Sequence, residues 1–425
     1  MTAHEATPEG APALLLIGTG ERHYWQDALK SLADRYRVLL LDDTAPTWQQ
    51  PFLADHQVID LSDTAALRAA ATSLASAHDI GGVLTWNPAA TAPAADMAQL
   101  LDTAGLDPAA VRASRNQATA HAVLDAHGVA APRWVPVGNA GQLRIAAEHL
   151  GYPLVLKPTI AGSAGAVRVD GSAQLDTAYA LTAQTAARHG NENAGLLAEK
   201  YEYGPEVGVE MVSIPGRHVV AAITHTQRGE AFEATDRLVA PALRSPVTDA
   251  AEQTAIEALE ALGITHGASH VTVRLTSSGP RVTAVTPCLA DDLIPHLVRL
   301  ATGIDLVAAA ADLAMGLLPD LRPRHLRAAA IGFIHPNTAG ELRSLTVEPA
   351  LAARTWCDRA VLEQQPDTHL TPPAEGHTAR LAHLVVTANT PALCRRYLDR
   401  ALDAVHATIE PVDPDDQADE QAAAA

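Results

Sequence analysis

The chain reads as a multidomain protein of mixed α/β and α+β type, and three observations predict it. Apolar runs alternate with helical periodicity over the first quarter, β-branched strands crowd the middle, and a further strand-and-helix pattern follows a proline-rich break near residue 322. At 425 residues the chain exceeds what one core can fill, so two to four domains are expected.

The elements follow in order. "APALLLIGTG" is an apolar strand entering a glycine turn, then come a helical "YWQDALKSLADRY" and a second strand, "RVLLLDD". The helical "DTAALRAAATSLASAH" precedes another buried strand, "IGGVLTWNP". This β-α-β alternation predicts a small open parallel sheet within residues 1–110. "GTGERH" is no dinucleotide fingerprint, because His23 holds the third glycine position; a structural turn is expected there. "DPAAVRASRNQATAHAVLDAHGVAAPRW" predicts one amphipathic helix closed by Gly128, with Pro132 beyond it. "YPLVLKPTIAGSAGAVRVDG" and "GLLAEKYEYGPEVGVEMVSI" each read strand, loop, strand, and "HVVAAITHT", "SHVTVRLT" and "RVTAVTPC" add further strands. Antiparallel β with flanking helices is therefore expected over residues 111–322. "AAAIGFIHP" and "ARLAHLVVTANTPALCRRYLDRALDAVHATI" predict a third, α+β domain over residues 323–412, and the acidic ending 413–425 is expected to be a disordered tail.

Composition narrows the function classes. A formal net charge of −19 speaks against nucleic acid or an anionic membrane as partner, while leaving room for a local basic pocket. The N-terminus lacks a basic region and its apolar run is short, so no signal peptide or transmembrane span is expected. Cys288, Cys357 and Cys394 are widely spaced and odd in number, which suits a reducing, cytoplasmic location. The chain is rich in Ala and Arg but its lysines are only Lys30, Lys157 and Lys200, a composition associated with high-GC bacteria.

Lys157 ends an apolar strand just before Gly162, Ser163, Ala164 and Gly165. Small residues let backbone N–H groups approach an anion, and a nearby ammonium adds a point charge, so the segment suits phosphate oxygens. An ordinary hairpin with a solvated lysine is the plain alternative. About forty residues on, Glu199 and Glu206 flank a Gly-Pro turn, where carboxylates and backbone groups can meet a base and a ribose.

With "GITHGASHVTVRL" and "TPCLADDLIPHLVRLATGIDL" following in order, this set resembles the ATP-grasp superfamily. The likeness is to its carboxylate–amine ligase and biotin-carboxylase-like members, over most of residues 111–318. The resemblance implies a preATP-grasp (Rossmann-like) domain first, then two α+β lobes that hold ATP, then a C-terminal α+β domain. Active members form an acyl phosphate from a carboxylate and ATP, and an amine displaces the phosphate, with Mg²⁺ neutralising the triphosphate. It implies Lys157 as the second phosphate-binding lysine and the loop with Gly162, Ser163 and Gly165 as the phosphate cover. Glu199 falls at the adenine hinge and Glu206 near the ribose.

Elsewhere the sequence departs from the pattern. A helix pattern like D-K-x-x-x-R is replaced by "RNQATAH", with Gln117 for the lysine and His121 for the arginine. The acid expected after "GASH" is Thr272. In the next strand E-x-N-x-R becomes Ala284, Thr286 and Cys288, and Ala290 with Asp291 replaces a glycine pair. Magnesium takes hard oxygen ligands, usually one or two carboxylates with phosphates and waters. One unit-charge contact at 4 Å is worth about 4 kcal/mol at an effective dielectric of 20. Removing one such element of a transition state costs about 10²–10³ in rate. Ordinary phosphoryl transfer is therefore expected to be lost, unless Asp291, Asp292, Glu210 and Glu233 supply a relocated metal site.

Other constellations carry less. His225, His270, Cys288 and His296 fall near the expected site but match no metal spacing, and packed histidines with a buried Cys288 are the plain alternative. Arg274 shares a strand face with Thr272 and suits either a substrate anion or an ion pair. "GHTARLAHLVVTANT" resembles the segment that closes over substrate in biotin-carboxylase-like relatives, which makes Arg380 a carboxylate-binding candidate against a plain surface arginine.

Three functions stay open. The first is a degenerate ATP-grasp protein, a pseudoenzyme that binds ATP or another nucleotide and serves an active ligase or pathway enzyme in specialised metabolism. The second is an active carboxylate–amine ligase with a relocated metal. The third is ATP-independent chemistry on a small acid or acyl compound, with Arg274, Arg380, Cys288 and His270 as candidate residues. A small carboxylic acid or acyl compound is the expected ligand in each, and a homodimer the expected assembly.

Overall fold

Strand Ala13–Ile17 is buried at every position, as both faces of a parallel strand must be when helices cover them. It lies in a computed structural model that describes residues 12–160, 165–188, 195–231, 233–373 and 379–411. Gly162, Ser163 and the acidic tail expected over 413–425 lie outside the described residues. The chain divides into two units, Met1–Pro132 with Glu202–Thr224 and Arg244–His325, and Arg133–Tyr201 with His225–Leu243 and Leu326–Ala425.

The first unit begins with a four-stranded parallel sheet in the order Asp55–Val58, Arg37–Asp42, Ala13–Ile17, Ile80–Leu84. Helices Arg22–Ala33, Thr64–Ala77 and Thr91–Leu100 alternate with it. Asp63 caps the second by accepting from the N–H groups of Ala65 and Ala66. The glycine turn after the first strand is held by its own side chains. Thr19 donates through its N–H and hydroxyl to Asp42 Oδ2 at 3.0 and 2.5 Å, and Gln49 Nε2 donates to Thr19 Oγ1 at 2.9 Å. The structural turn expected there is what forms.

The single helix expected over residues 107–128 is instead two, Pro108–Arg115 and Gln117–Ala126. Asn116 takes an extended conformation between them, and its side chain accepts from Thr119 N–H at 3.0 Å. An asparagine that caps a new helix competes with the continuing ladder, and here it wins.

The second layer of this unit is antiparallel, with strands Glu206–Ile214, Gly267–Thr276 and Gly279–Thr286. Val207, Val209, Met211, Val271, Val273, Val282 and Val285 point to a core shared with Ala251, Ala255, Leu259 and Leu262 of helix Pro246–Leu262. Alanines on that helix let it lie close to the sheet despite the scarcity of aromatic residues. Period two then sends Glu206, Gly208, Glu210, His270, Thr272 and Arg274 to the opposite face, and a bulge in the last strand brings Ala284 and Thr286 to it as well.

In the second unit, strands Trp134–Val137, Leu196–Lys200, Leu154–Pro158 and Val167–Val169 form an antiparallel sheet in that order. Helices Ala140–Leu150 and Leu175–Arg188 cover one face through Leu143, Ala146, Ala147 and Ala178. Strands Ala234–Val239, Ala328–Ile334, Ala382–Ala388 and Cys357–Leu362 form another antiparallel set, backed by helix Pro391–Asp403. Strand Arg217–Arg228 runs from the first unit into the second. Among the described residues no helix is long and apolar enough to cross a membrane.

Candidate functional site

Each unit presents one polar sheet face, and the alternation of its strands decides which side chains line it. In the second unit Leu154, Leu156, Leu196 and Ala198 enter the core, so Lys157 and Glu199 stand on the other face. Val155 lies opposite Glu199 and Lys157 opposite Leu197, which makes the lysine and the glutamate diagonal neighbours. Lys157 Nζ is 2.5 Å from Glu199 Oε1, and the two residues are only 6% and 4% exposed. A pair this buried holds because each charge satisfies the other; either alone would be costly.

Gly165, the described end of the expected phosphate loop, has φ +78°, and a Cβ there would stand 2.7 Å from Thr185 Cγ2. Packing and backbone both require glycine at that position. Arg380 lies over the Phe333 ring, 3.7 Å from guanidinium carbon to centroid, while its carbonyl accepts from Gln364 Nε2 at 3.0 Å. Three residues along the same segment, the fully buried His383 has Nδ1 2.7 Å from Glu363 Oε1. The signal for this pair in the sequence is slight, a histidine inside "LAHLVVT" that interrupts an otherwise apolar run. His225, also in this unit, has its pKa lowered by burial.

The polar face of the first unit is organised in rows across three strands. Glu206 lies opposite Arg274, whose Nη2 donates to Glu206 Oε2 at 2.8 Å and whose Nη1 donates to the Gly204 carbonyl at 3.1 Å. Gly208, Thr272 and Ala284 form the next row, and Glu210, His270 and Thr286 the third. Glu210 is 2% exposed and its two oxygens are each 3.0 Å from His270 Nδ1, while Thr224 Oγ1 donates to Oε1 at 2.9 Å. Thr272 Oγ1 is 3.3 Å from His270 Nε2. The ring fits because Gly208 has no side chain; a Cβ there would stand 2.3 Å from His270 Cε1.

This donor set does not fit the magnesium that the ATP-grasp resemblance implies. Thr272 faces Ala284 directly and Thr286 follows, which offers two hydroxyls and no carboxylate. The buried acids of this face are already held, Glu206 by Arg274 and Glu210 by a histidine and a threonine. Gln117 and His121 line a small cavity with Thr283 and Ala284, and Gln117 Oε1 is buried there without a hydrogen-bond partner. Cys288 is 4% exposed with Sγ 3.9 Å from the Trp86 carbonyl, and burial pushes its thiol well above the ordinary range. It packs as a small apolar group. His296 Nδ1 is 3.1 Å from Arg299 Nη2 on helix Ile294–Thr302. Among the described residues, His270, Cys288 and His296 do not come together as metal ligands.

A parallel first sheet, an antiparallel lobe with a buried lysine, and a second antiparallel lobe with a polar face define the ATP-grasp class of protein. Family models agree: the ATP-grasp domain matches residues 150–293 and the L-amino acid ligase C-terminal domain 2 matches residues 332–410. The fold is similar to a crystal structure of L-amino acid ligase from Bacillus licheniformis, with a TM-score of 0.81 and 20% identity over 94% of this chain and 99% of that one. In sequence, the uncharacterised protein y4rH of Sinorhizobium fredii is 27% identical over 361 residues, 83% of this chain and 73% of that protein. The D-alanine–D-alanine ligase of Bordetella pertussis is 33% identical over 87 residues, 20% of this chain and 25% of the ligase. The chain belongs to the ATP-grasp superfamily of carboxylate–amine ligase-like proteins.

Proposed function

We propose that this protein is an ATP-grasp chain that retains a nucleotide-facing lysine and carboxylates but not a divalent-cation site, and that it does not carry out ATP-dependent carboxylate–amine ligation. The observation that carries this reading is the row in which Thr272 faces Ala284 beside Thr286, with Glu210 committed to His270 and Thr224. Phosphoryl transfer needs positive charge fixed at the β- and γ-oxygens, and two threonine hydroxyls do not anchor a cation there. In this reading Lys157, Glu199, Glu206 and the loop of Gly162, Ser163 and Gly165 meet ATP or another nucleotide. Arg380 meets a small carboxylic acid or acyl compound, whereas Arg274 is engaged by Glu206 and the Gly204 carbonyl.

The protein then serves as a ligand-binding partner of an active ligase or pathway enzyme, as a cytoplasmic bacterial protein and a homodimer. The names of its relatives, amino-acid ligases, point to an amino acid or short peptide as the class of acid. A relocated metal site loses its strongest member, since Glu210 is engaged.

Calorimetric titration with ATP, with and without Mg²⁺, tests the proposal. Nucleotide affinity indifferent to Mg²⁺, with no phosphate released in an amino-acid mixture, is the expected result. Mg²⁺-dependent binding with phosphate release overturns it.

A further inference from the structure

The first unit's polar face holds an arrangement that a cation site would not explain. A carboxylate only accepts hydrogen bonds, so the proton between Glu210 and His270 sits on Nδ1, 3.0 Å from both carboxylate oxygens. Nε2 then presents its lone pair, and the nearest hydroxyl to it is that of Thr272, 3.3 Å away. Acid, imidazole and hydroxyl follow one another in the order used to activate a hydroxyl nucleophile. Such contacts are often long before substrate binds and tighten when it does. Two neighbours support the placement. Thr224 anchors the acid at 2.9 Å, and Gly208 leaves open the space that the ring occupies. Thr272 itself is half-buried, whereas Glu210 is buried.

We propose that Glu210, His270 and Thr272 form an acyl-transfer site in which the Thr272 hydroxyl attacks a small ester or thioester. The inference rests on the reading that this face holds no magnesium and activates no carboxylate. A free acid therefore gives nothing to attack, and the acyl group must arrive already joined to a leaving group. The reaction that supplies this substrate is accordingly one that esterifies or thioesterifies an acid elsewhere.

In the first step Oγ of Thr272 bonds to the acyl carbon as its proton passes to His270 Nε2. The bond to the alkoxide or thiolate then breaks, and His270 returns the proton to that leaving group. In the second step water or an amine attacks the acyl-threonine, loses a proton to His270, and Thr272 recovers it as the acyl group departs. No oxidant, nucleotide or metal enters the balance. Glu210 acts as a positioning residue that holds the ring and its tautomer.

The test uses the full chain with EDTA and no nucleotide, with p-nitrophenyl acetate and the acetyl thioester of N-acetylcysteamine as probes. An acetyl group on Thr272, located by peptide mass spectrometry, and a burst of leaving group are expected. Thr272→Val, which keeps shape and removes the hydroxyl, should lower the burst rate at least about 100-fold, as loss of a general-base-assisted step does. Thr272→Ser should keep the adduct, and unchanged melting temperatures in both variants separate chemistry from folding. An adduct only at cysteine or lysine, a Val variant as fast as the parent, or no transfer from either probe overturns the site. If Mg²⁺ with ATP proves necessary for turnover, the reading of a metal-free face fails instead. If no transfer occurs while nucleotide binding stays indifferent to Mg²⁺, only the acyl-transfer site fails.

Discussion

Two β-sheet faces in this chain are built alike and charged differently. The face with Lys157 and Glu199 buries opposite charges against each other, and the face with Thr272 also holds an ion pair, Glu206 with Arg274, but its row of Thr272, Ala284 and Thr286 is uncharged where the ATP-grasp resemblance implies acids. Both have an apolar underside packed on helices, and both alternate along their strands, with one bulge beside Thr272 and Ala284 on the second. The scaffold therefore does not dictate the charge. A strand can exchange its outward residues while valines hold its inward ones, so fold and chemistry diverge within one sheet.

The sharpest way to break this comparison is to remove one charge from the first face. Lys157→Met leaves Glu199 buried without its cation and should cost about 3–5 kcal/mol, read as a lowered urea midpoint. Adding Glu199→Leu should return most of that loss, because a well-packed apolar pair often matches a buried ion pair. If the single and double variants are equally unstable, the pair is not what holds this face.

A smaller effect is expected on the face with Thr272. Gly208→Ala places a methyl 2.3 Å from the His270 ring, and forced repacking should cost about 1–3 kcal/mol. In a His270→Ala background the same change should cost much less, and a double-mutant cycle measures that coupling.

Smaller again is a gain. Introducing Thr272→Glu, Ala284→Glu and Thr286→Asn together supplies oxygen ligands, so nucleotide affinity should rise about tenfold with Mg²⁺, roughly 1.4 kcal/mol. Calorimetry that shows no Mg²⁺ dependence in this triple variant would mean that more than the ligands is missing.

The smallest effect is acid sensitivity, shared by both units. Burial lowers the pKa of His218 and His266 in the first unit and of His225 in the second. The unfolded chain then binds more protons than the folded one below about pH 6.5, the ordinary histidine value. This contribution to stability is complete above that pH and declines as pH falls. Denaturant midpoints at pH 7 and pH 5 should show the decline, and His266→Asn should flatten it.

The apolar run before it made the place of Lys157 at a strand end legible in advance, and alternation did the same for the shared face of Thr272 and Arg274. The partners across strands were not legible. Glu210 and His270 are 60 residues apart, and only the pairing register, not any local pattern, brings them together. Arg274 was open between an anion site and an ion pair, and Glu206 lies directly opposite it for the same reason. The spacing of Thr272 from His270, two residues on a strand, already puts the two on one face. The helix break at Asn116 was hidden by continuous amphipathicity on both sides of a residue whose capping bond is purely local.

The scarcity of lysine turns one buried contact into a gauge of motion. Lys30 is exposed and Lys200 is half-buried with Nζ bonded to the Tyr152 carbonyl, whereas Lys157 is enclosed with Glu199. An amine-selective acylating reagent should therefore mark Lys30 and Lys200 promptly and Lys157 only when its sheet opens. Peptide-resolved labelling over time reads the opening free energy of that sheet at a single atom, with no engineered probe.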